Sequence, residues 1–320
     1  MNHIVQSLTI VLPILFVLVL GFLAGKKQAF GKSDQAIPVI NELVLTFALP
    51  ASLFVGTISV TRVQLAGEMD LFTGLLISLL LAYFLGLVVA KYCFKRNMVE
   101  ASIAGLAVAF SAGPFYGPAL LGSIYGTKSD VAVSIISLLL NVCIVPLATI
   151  VIKLNTTGKE HDSVGKMIGQ SLYQAIIKTP FVWAPLIGFI CVFIGIDFPK
   201  VVTSSLTLIG EATAGVAIFV AGMTIAAHHF KLTKEVLCIT ILKNIGLPLI
   251  FVAIAVLTHL KSGSVTFNEG LLLAALPSGP MIVLLSTKYK QYQQEASSIL
   301  ALSTVGMIIT ITIVISLLGV

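Results

Sequence analysis

The chain has 320 residues, of which 58% are hydrophobic and only 10% charged, with a net charge of +6 and a mean hydropathy of +1.08. Soluble domains carry roughly a quarter charged residues, so the composition excludes a soluble globular protein and describes a polytopic protein set in a lipid bilayer. The positive excess does not point to nucleic acid, because the basic residues stand almost entirely at the ends of apolar runs, where they signal topology.

Apolar runs near the ~20 residues that a spanning helix requires predict ten helices, at 4–25, 36–58, 70–94, 101–125, 129–153, 172–196, 201–227, 235–260, 268–288 and 295–319. No basic segment precedes the first run, and its first charges, Lys26 and Lys27, follow it, so it reads as a span rather than a signal peptide. The second carries Asn41 and Glu42 in "INELVLTFALP", the glutamate near the span end. The fourth contains "FSAGPFYGPALLGSIYG", Phe110 to Gly126, where Gly113-Pro114 and Gly117-Pro118 interrupt a helix inside the membrane. Proline removes a backbone donor and clashes with the preceding turn, at ~3 kcal/mol in a helix interior. Lipid offers the freed carbonyls nothing in return, so the break must face protein or a cavity.

Between the fifth and sixth helices runs the longest polar connection, Lys153 to Ser171, whose Asn155-Thr156-Thr157 sequon falls on the expected cytoplasmic side and reads as chance. Trp183 and Pro185 shape the start of the sixth helix. The seventh holds Glu211 and ends at His228 and His229, read as interface residues rather than metal ligands. The eighth holds Lys243 and Asn244 in "ITILKNIGLPLI", an ammonium at membrane depth that should have a partner or a task. A structural ion pair with Glu211 is the plain alternative. The ninth contains "LAALPSGPMIVL", so Gly279-Pro280 repeats Gly113-Pro114 at an offset of 166 residues. The four cysteines lie one each in separate apolar segments, without metal or redox spacing, and read as packing residues.

Loops after odd-numbered helices carry 14 basic residues against 4 after even-numbered ones, which places the odd loops in the cytoplasm and both termini outside. Five helices on each side of the linker predict an all-α protein of two inverted five-helix repeats, 1–154 and 172–320, joined by a cytoplasmic linker at 155–171. An interrupted helix at the same place in each half is the sequence pointer to a secondary-transporter site. A broken helix exposes N–H groups and a positive dipole end that suit an anion, while its free carbonyls could hold a cation. Ser111, Gly113, Pro114, Tyr116, Gly117, Ser278, Gly279 and Pro280 are the candidates at the breaks. Asn41, Lys243 and Asn244 join them as binding candidates, and Lys243 and Glu211 are the coupling candidates. No metal site or cofactor is expected, and no enzyme motif such as HExxH, GxSxG or a P-loop is present.

Six fragments in order, among them "NELVLTFALPASLFVGTISV", "AGLAVAFSAGPFYGPALLGSIYG", "ILKNIGLPLIF" and "ALPSGPMIVLLSTKYKQYQQEASSILALSTVGMIIT", resemble the auxin efflux carrier family, within it the bacterial malate and malonate permease branch. The resemblance implies crossing broken helices four and nine, elevator-like alternating access and small organic anions as substrates. Its fourth helix commonly reads like "FSNTGFLGIPLL"; here Ala112 stands at the asparagine, while Pro277 matches the ninth-helix proline and Lys243 the eighth-helix lysine. The expected protein is thus a carrier for dicarboxylates such as malate or malonate in a bacterial-type plasma membrane. Coupling to H+ or Na+ is open, and small residues on the spans allow a homodimer. The competing readings are a cation-coupled symporter or antiporter of the same architecture for another solute, and a membrane sensor that binds without transporting.

Overall fold

A computed structural model describes residues 2–59, 61–62, 68–156, 169, 173, 180–227, 231–258 and 260–319. The structure is all-helical. In chain order the helices are α1 (Asn2–Lys26), α2 (Ser33–Leu43), α3 (Leu49–Ile58), α4 (Met69–Val88), α5 (Met98–Ala109), α6 (Gly113–Tyr125), α7 (Asp130–Leu138) and α8 (Val145–Thr156). There follow α9 (Pro180–Ile194), α10 (Lys200–Gly210), α11 (Ala212–Ala227), α12 (Lys234–Ile241), α13 (Leu247–Leu257), α14 (Val265–Ala275), α15 (Met281–Tyr289) and α16 (Gln293–Leu318). Several join end to end, giving six apolar helices of 24 to 28 residues among those described, long enough to cross a membrane, beside shorter apolar ones such as Met98–Ala109 and Val265–Ala275. His161, His228, His229 and His259, and most of the 155–171 linker, lie outside the described residues.

Three of the joins are wide π turns that the apolar pattern does not show: Val44–Ala48, Leu139–Ile144 and Leu242–Gly246. Each is followed by a proline at the second position of the next helix, Pro50, Pro146 and Pro248. A proline frees the carbonyl four residues before it and needs room for its ring. Widening the preceding turn supplies that room and keeps the rod continuous, and such turns gather at functional sites. Pro118 behaves differently from expectation: it lies inside α6 and does not break it. Its ring falls in the second turn, so the carbonyl it frees is Pro114's, beside a helix start that is already open.

The helices pack as two groups. In one, α1 packs along α11, α3 along α9 and against α10, and α2 against α11. Contact between α1 and α11 is backbone to backbone, because a Cβ at Gly21 would strike the Phe219 carbonyl and one at Gly222 the Leu18 carbonyl. Small residues four apart, Gly21 and Gly25, are the usual means of such approach in lipid. The second group contains α4–α8 and α12–α16, with α4 against α5 and α13, α5 against α8, and α16 against α12, α14 and α15. The groups meet where α6 packs on α11, α3 on α7 and α1 on α16. Large apolar side chains such as Phe16, Leu208, Leu257 and Leu317 are exposed on the outside, as a lipid-facing surface requires.

One charged knot fastens the second group at the end carrying the basic loops. Arg96, just before α5, donates Nη2–H to Glu235 of α12 at 2.6 Å and to Glu295 of α16 at 2.8 Å, while Tyr292 donates its hydroxyl to Glu235 at 2.8 Å. The Arg96 guanidinium also lies over the Tyr292 ring at 5.3 Å. Its hydrogen bonds to Glu235 push its pKa above the ordinary arginine value. Asn97 accepts the Val99 and Glu100 amides at 3.0 Å and so starts α5 beside this knot.

Candidate functional site

The two chain breaks, Phe110–Ala112 between α5 and α6 and Leu276–Pro280 between α14 and α15, meet antiparallel. The Ala112 amide donates to the Pro277 carbonyl at 2.8 Å and the Gly279 amide to the Phe110 carbonyl at 3.0 Å, with Ser111 opposite Ser278. Each unwound segment thereby satisfies backbone groups of the other, which lipid could not do.

The carbonyl ends of the half-helices are filled reciprocally. Ser278 donates its hydroxyl to Ala107 of α5 at 2.5 Å, and Ser111 donates its own to Leu273 of α14. Lys243, buried on the wide turn between α12 and α13, donates Nζ–H to the Ala274 carbonyl at 3.0 Å. An ammonium at the negative end of a helix dipole is favourably placed. Glu211 sits exposed at the joint of α10 and α11, and among the described residues no ion pair links it to Lys243. Asn244 donates to the Ser303 carbonyl at 2.9 Å, and the Ser303 hydroxyl in turn accepts the Ser278 amide at 3.1 Å.

The amide ends are different. Phe115 and Tyr116 amides return to the Ala112 carbonyl, and Val283 and Leu284 amides to Pro280, yet no backbone acceptor among the described residues takes the amides of Gly113, Met281 or Ile282. Pro114 and Pro280 fall where a missing N–H costs nothing. Beside these first turns lies a cavity of about 40 Å³, room for a few waters on the scale of ~10–15 Å³ each. Asn41 of α2, Phe115 and Tyr116 of α6, Ser278 and Pro280, a face of α11 from Ala217 to Ile225, and Ser297, Ala301 and Thr304 of α16 line it. It therefore lies between the two helix groups, and no charged side chain is among its lining residues. The Tyr116 hydroxyl is buried against Thr304 without completing a hydrogen bond.

The structure thus gathers Asn41, Tyr116, Ser278 and Pro280 around one space, with Ser111, Ala112, Pro114 and Pro277 in the crossing beside it. Lys243 and Asn244 do not line the cavity; they brace the crossing from behind. The glycines of the two breaks pack closely. A Cβ at Gly113 would come within 2.6 Å of Ile136, one at Gly117 within 2.9 Å of Val133, and one at Gly279 onto the Phe110 ring. On the side where a Cβ would point, these glycines admit neighbouring protein.

Ser297, Ser303 and Thr304 were not singled out in the sequence, because hydroxyls on an apolar helix usually bond back to its own carbonyls. Thr304 does so, donating to Leu300 at 2.7 Å. The 166-residue offset did hold a signal, since it pairs Ser303 with the buried Ser137.

The family described as "Membrane transport protein" matches residues 6–315 of the chain. Over 303 residues the chain is 30% identical to "Uncharacterized transporter YfdV" of Escherichia coli K12, covering 93% of each protein. It is also 21% identical over 303 residues to a Rhizobium meliloti protein named "Putative malonate transporter", covering 95% of this chain and 93% of that one.

Proposed function

Since the chain belongs to the membrane transport protein family, that of the auxin efflux carriers, we propose that it is a secondary transporter of small organic anions, with dicarboxylates such as malonate or malate as substrates. The observation that carries this reading is the unaccepted amides of Gly113, Met281 and Ile282 at two half-helix N-termini beside a cavity between two helix groups. Such amides and the dipoles behind them attract negative charge. The name of the Rhizobium relative supports malonate. Neutral donors on the walls, Asn41, Tyr116 and Ser278, would complete the anion's hydrogen bonds.

The packing supports two inverted repeats, residues 1–154 and 172–320. If the halves are related by a two-fold axis in the membrane plane, the first helix should meet the seventh as the sixth meets the second. The pairs α1 with α11 and α9 with α3 are those contacts. In this reading α4–α8 and α12–α16 carry the anion past α1–α3 and α9–α11 in an elevator-like movement. The basic loops and the Arg96 knot lie on the cytoplasmic side and both termini lie outside. The Lys243 ammonium holds a half-helix carbonyl end that a sodium ion would otherwise use, which favours an anion carrier without sodium at the crossing. A dianion crossing alone would be driven by voltage at about 2.3 kcal/mol per charge per 100 mV.

Uptake of labelled malonate and malate into proteoliposomes, at imposed voltage and with or without sodium, tests the reading. Saturable, sodium-independent uptake that is cross-inhibited by the two acids is the expected result. Absence of uptake and of counterflow for both acids would remove the substrate class and leave the fold.

A further inference from the structure

A second polar cluster lies at the opposite end of the second helix group from the Arg96 knot, and the anion site does not use it. Glu68 stands just before α4, Tyr125 closes α6, and Asn268 and Glu269 are the fourth and fifth residues of α14. Glu269 is 4% exposed and Asn268 6% exposed. Glu269 lies near enough to Glu68 for their charges to interact, and Tyr125 lies beside Asn268 and within reach of the Glu269 charge. Three oxygens here are buried without a hydrogen-bond partner: Glu68 Oε2, the Tyr125 hydroxyl and Asn268 Oδ1. Among the described residues every ion pair belongs to Arg96, so neither glutamate has a basic partner there.

Two carboxylates within charge-interaction range in such a place cannot both be ionised cheaply, since like charges and lost hydration act together. The Asn268 amide oxygen, more than nine-tenths buried, is an acceptor left open among these groups. The elements packed on α14 supply no compensating charge. Asp70 on α4 and Asp130 on α7 are acidic, Lys261 beyond α13 is exposed, Lys243 lies toward the crossing, and the charged residue of α16, Glu295, belongs to the Arg96 knot. The side chain of Lys128 and residue His259 lie outside the described residues.

We propose that Glu68 and Glu269, with Asn268 and Tyr125, form a proton-binding site in which one proton is shared by the two carboxyls and travels with the anion. The site is tied to the crossing by the elements that build it. α14 carries Glu269 and, about 6 to 8 Å further along the helix at 1.5 Å per residue, the Leu273 and Ala274 carbonyls held by Ser111 and Lys243. α6 carries Tyr125 at one end and the cavity residues Phe115 and Tyr116 at the other. A protonated pair lets this end of the second group move against apolar surroundings without dragging a bare charge. Burial pushes the Glu68 carboxyl above the usual carboxylate range.

The inference rests on the transport reading, and its test separates the two. In proteoliposomes loaded with a pH dye, malonate uptake by the wild type should acidify the lumen, and a tenfold rise in external proton concentration should raise uptake severalfold. Glu269→Gln, an isosteric mimic of the protonated acid, should retain malonate counterflow while losing both proton movement and pH dependence, and Glu68→Gln should do the same. Independently of transport, infrared difference spectra of the purified protein across a pH step should show a protonated-carboxyl band that is absent from both variants. Wild-type counterflow without proton movement and without that band would overturn the proton site and keep the carrier. So would a site that responds to sodium instead of pH. Absence of wild-type counterflow would overturn the transport reading, and the infrared band would then decide the site alone.

Discussion

At the residue scale, two side chains separate packing from binding. Gly279 lies against the Phe110 ring with no space for a methyl group. Overpacking of this kind costs ~1–3 kcal/mol, so Gly279→Ala should lower thermal stability in detergent and impair uptake, and a second change, Phe110→Leu, should recover much of both. If the double variant were as inactive as the single one, the glycine would be serving a ligand. Tyr116 is the reverse case. Its hydroxyl is buried and without a completed partner, so Tyr116→Phe should change stability by no more than ~0.5 kcal/mol, as for substitutions that break no interaction. In uptake assays the same change should raise the malonate KM severalfold. An unchanged KM would remove Tyr116 from the site.

At the element scale the crossing depends on each half filling the other's open carbonyls. Ser111→Ala leaves Leu273 without its donor and Ser278→Ala does the same to Ala107. A buried group stripped of its partner costs ~1–3 kcal/mol, so each variant should melt earlier. Because both act on one bridge, the double variant should lose less than the sum of the singles in a double-mutant cycle. The knot at the other end makes a parallel case. Arg96 forks between Glu235 and Glu295, and the Glu235 side chain is only 6% exposed. Removing one partner from a buried pair costs ~3–5 kcal/mol, and a lysine cannot reproduce the fork. Arg96→Ala should therefore sharply reduce thermal stability, Arg96→Lys should restore only part of it, and melting curves in detergent read both.

At the scale of the whole molecule, function in the proposed reading needs movement between the two helix groups. Val220 on α11 and Leu300 on α16 face the same cavity from opposite groups. Cysteines at both positions, in a protein with its four native cysteines replaced, should be joined by a short bifunctional maleimide. The joined protein should lose uptake, and a cleavable linker should allow recovery on cleavage. Full uptake after complete cross-linking would rule out relative motion of the groups there.

The membrane class, the interrupted helices and their repetition were legible in the chain because their causes are local. The length of an apolar run decides whether a segment can cross a bilayer. A proline such as Pro114 or Pro280 lacks its N–H wherever the chain goes. Asn41, Tyr116 and Ser278 could be named for the same reason, as polar residues on or beside such breaks. The partner of Lys243, the filling of Gly113, Gly117 and Gly279 by protein, the hydroxyls of α16 and the meeting of Glu68 with Glu269 were not legible. Each depends on which surfaces come together across 16 to 201 residues of chain, and no local rule selects among them. Composition and proline spacing determined that this protein spans a membrane with broken helices. Only packing decided that Lys243 braces the Ala274 carbonyl instead of lining the cavity, because a buried ammonium goes to the nearest acceptor that the fold leaves open.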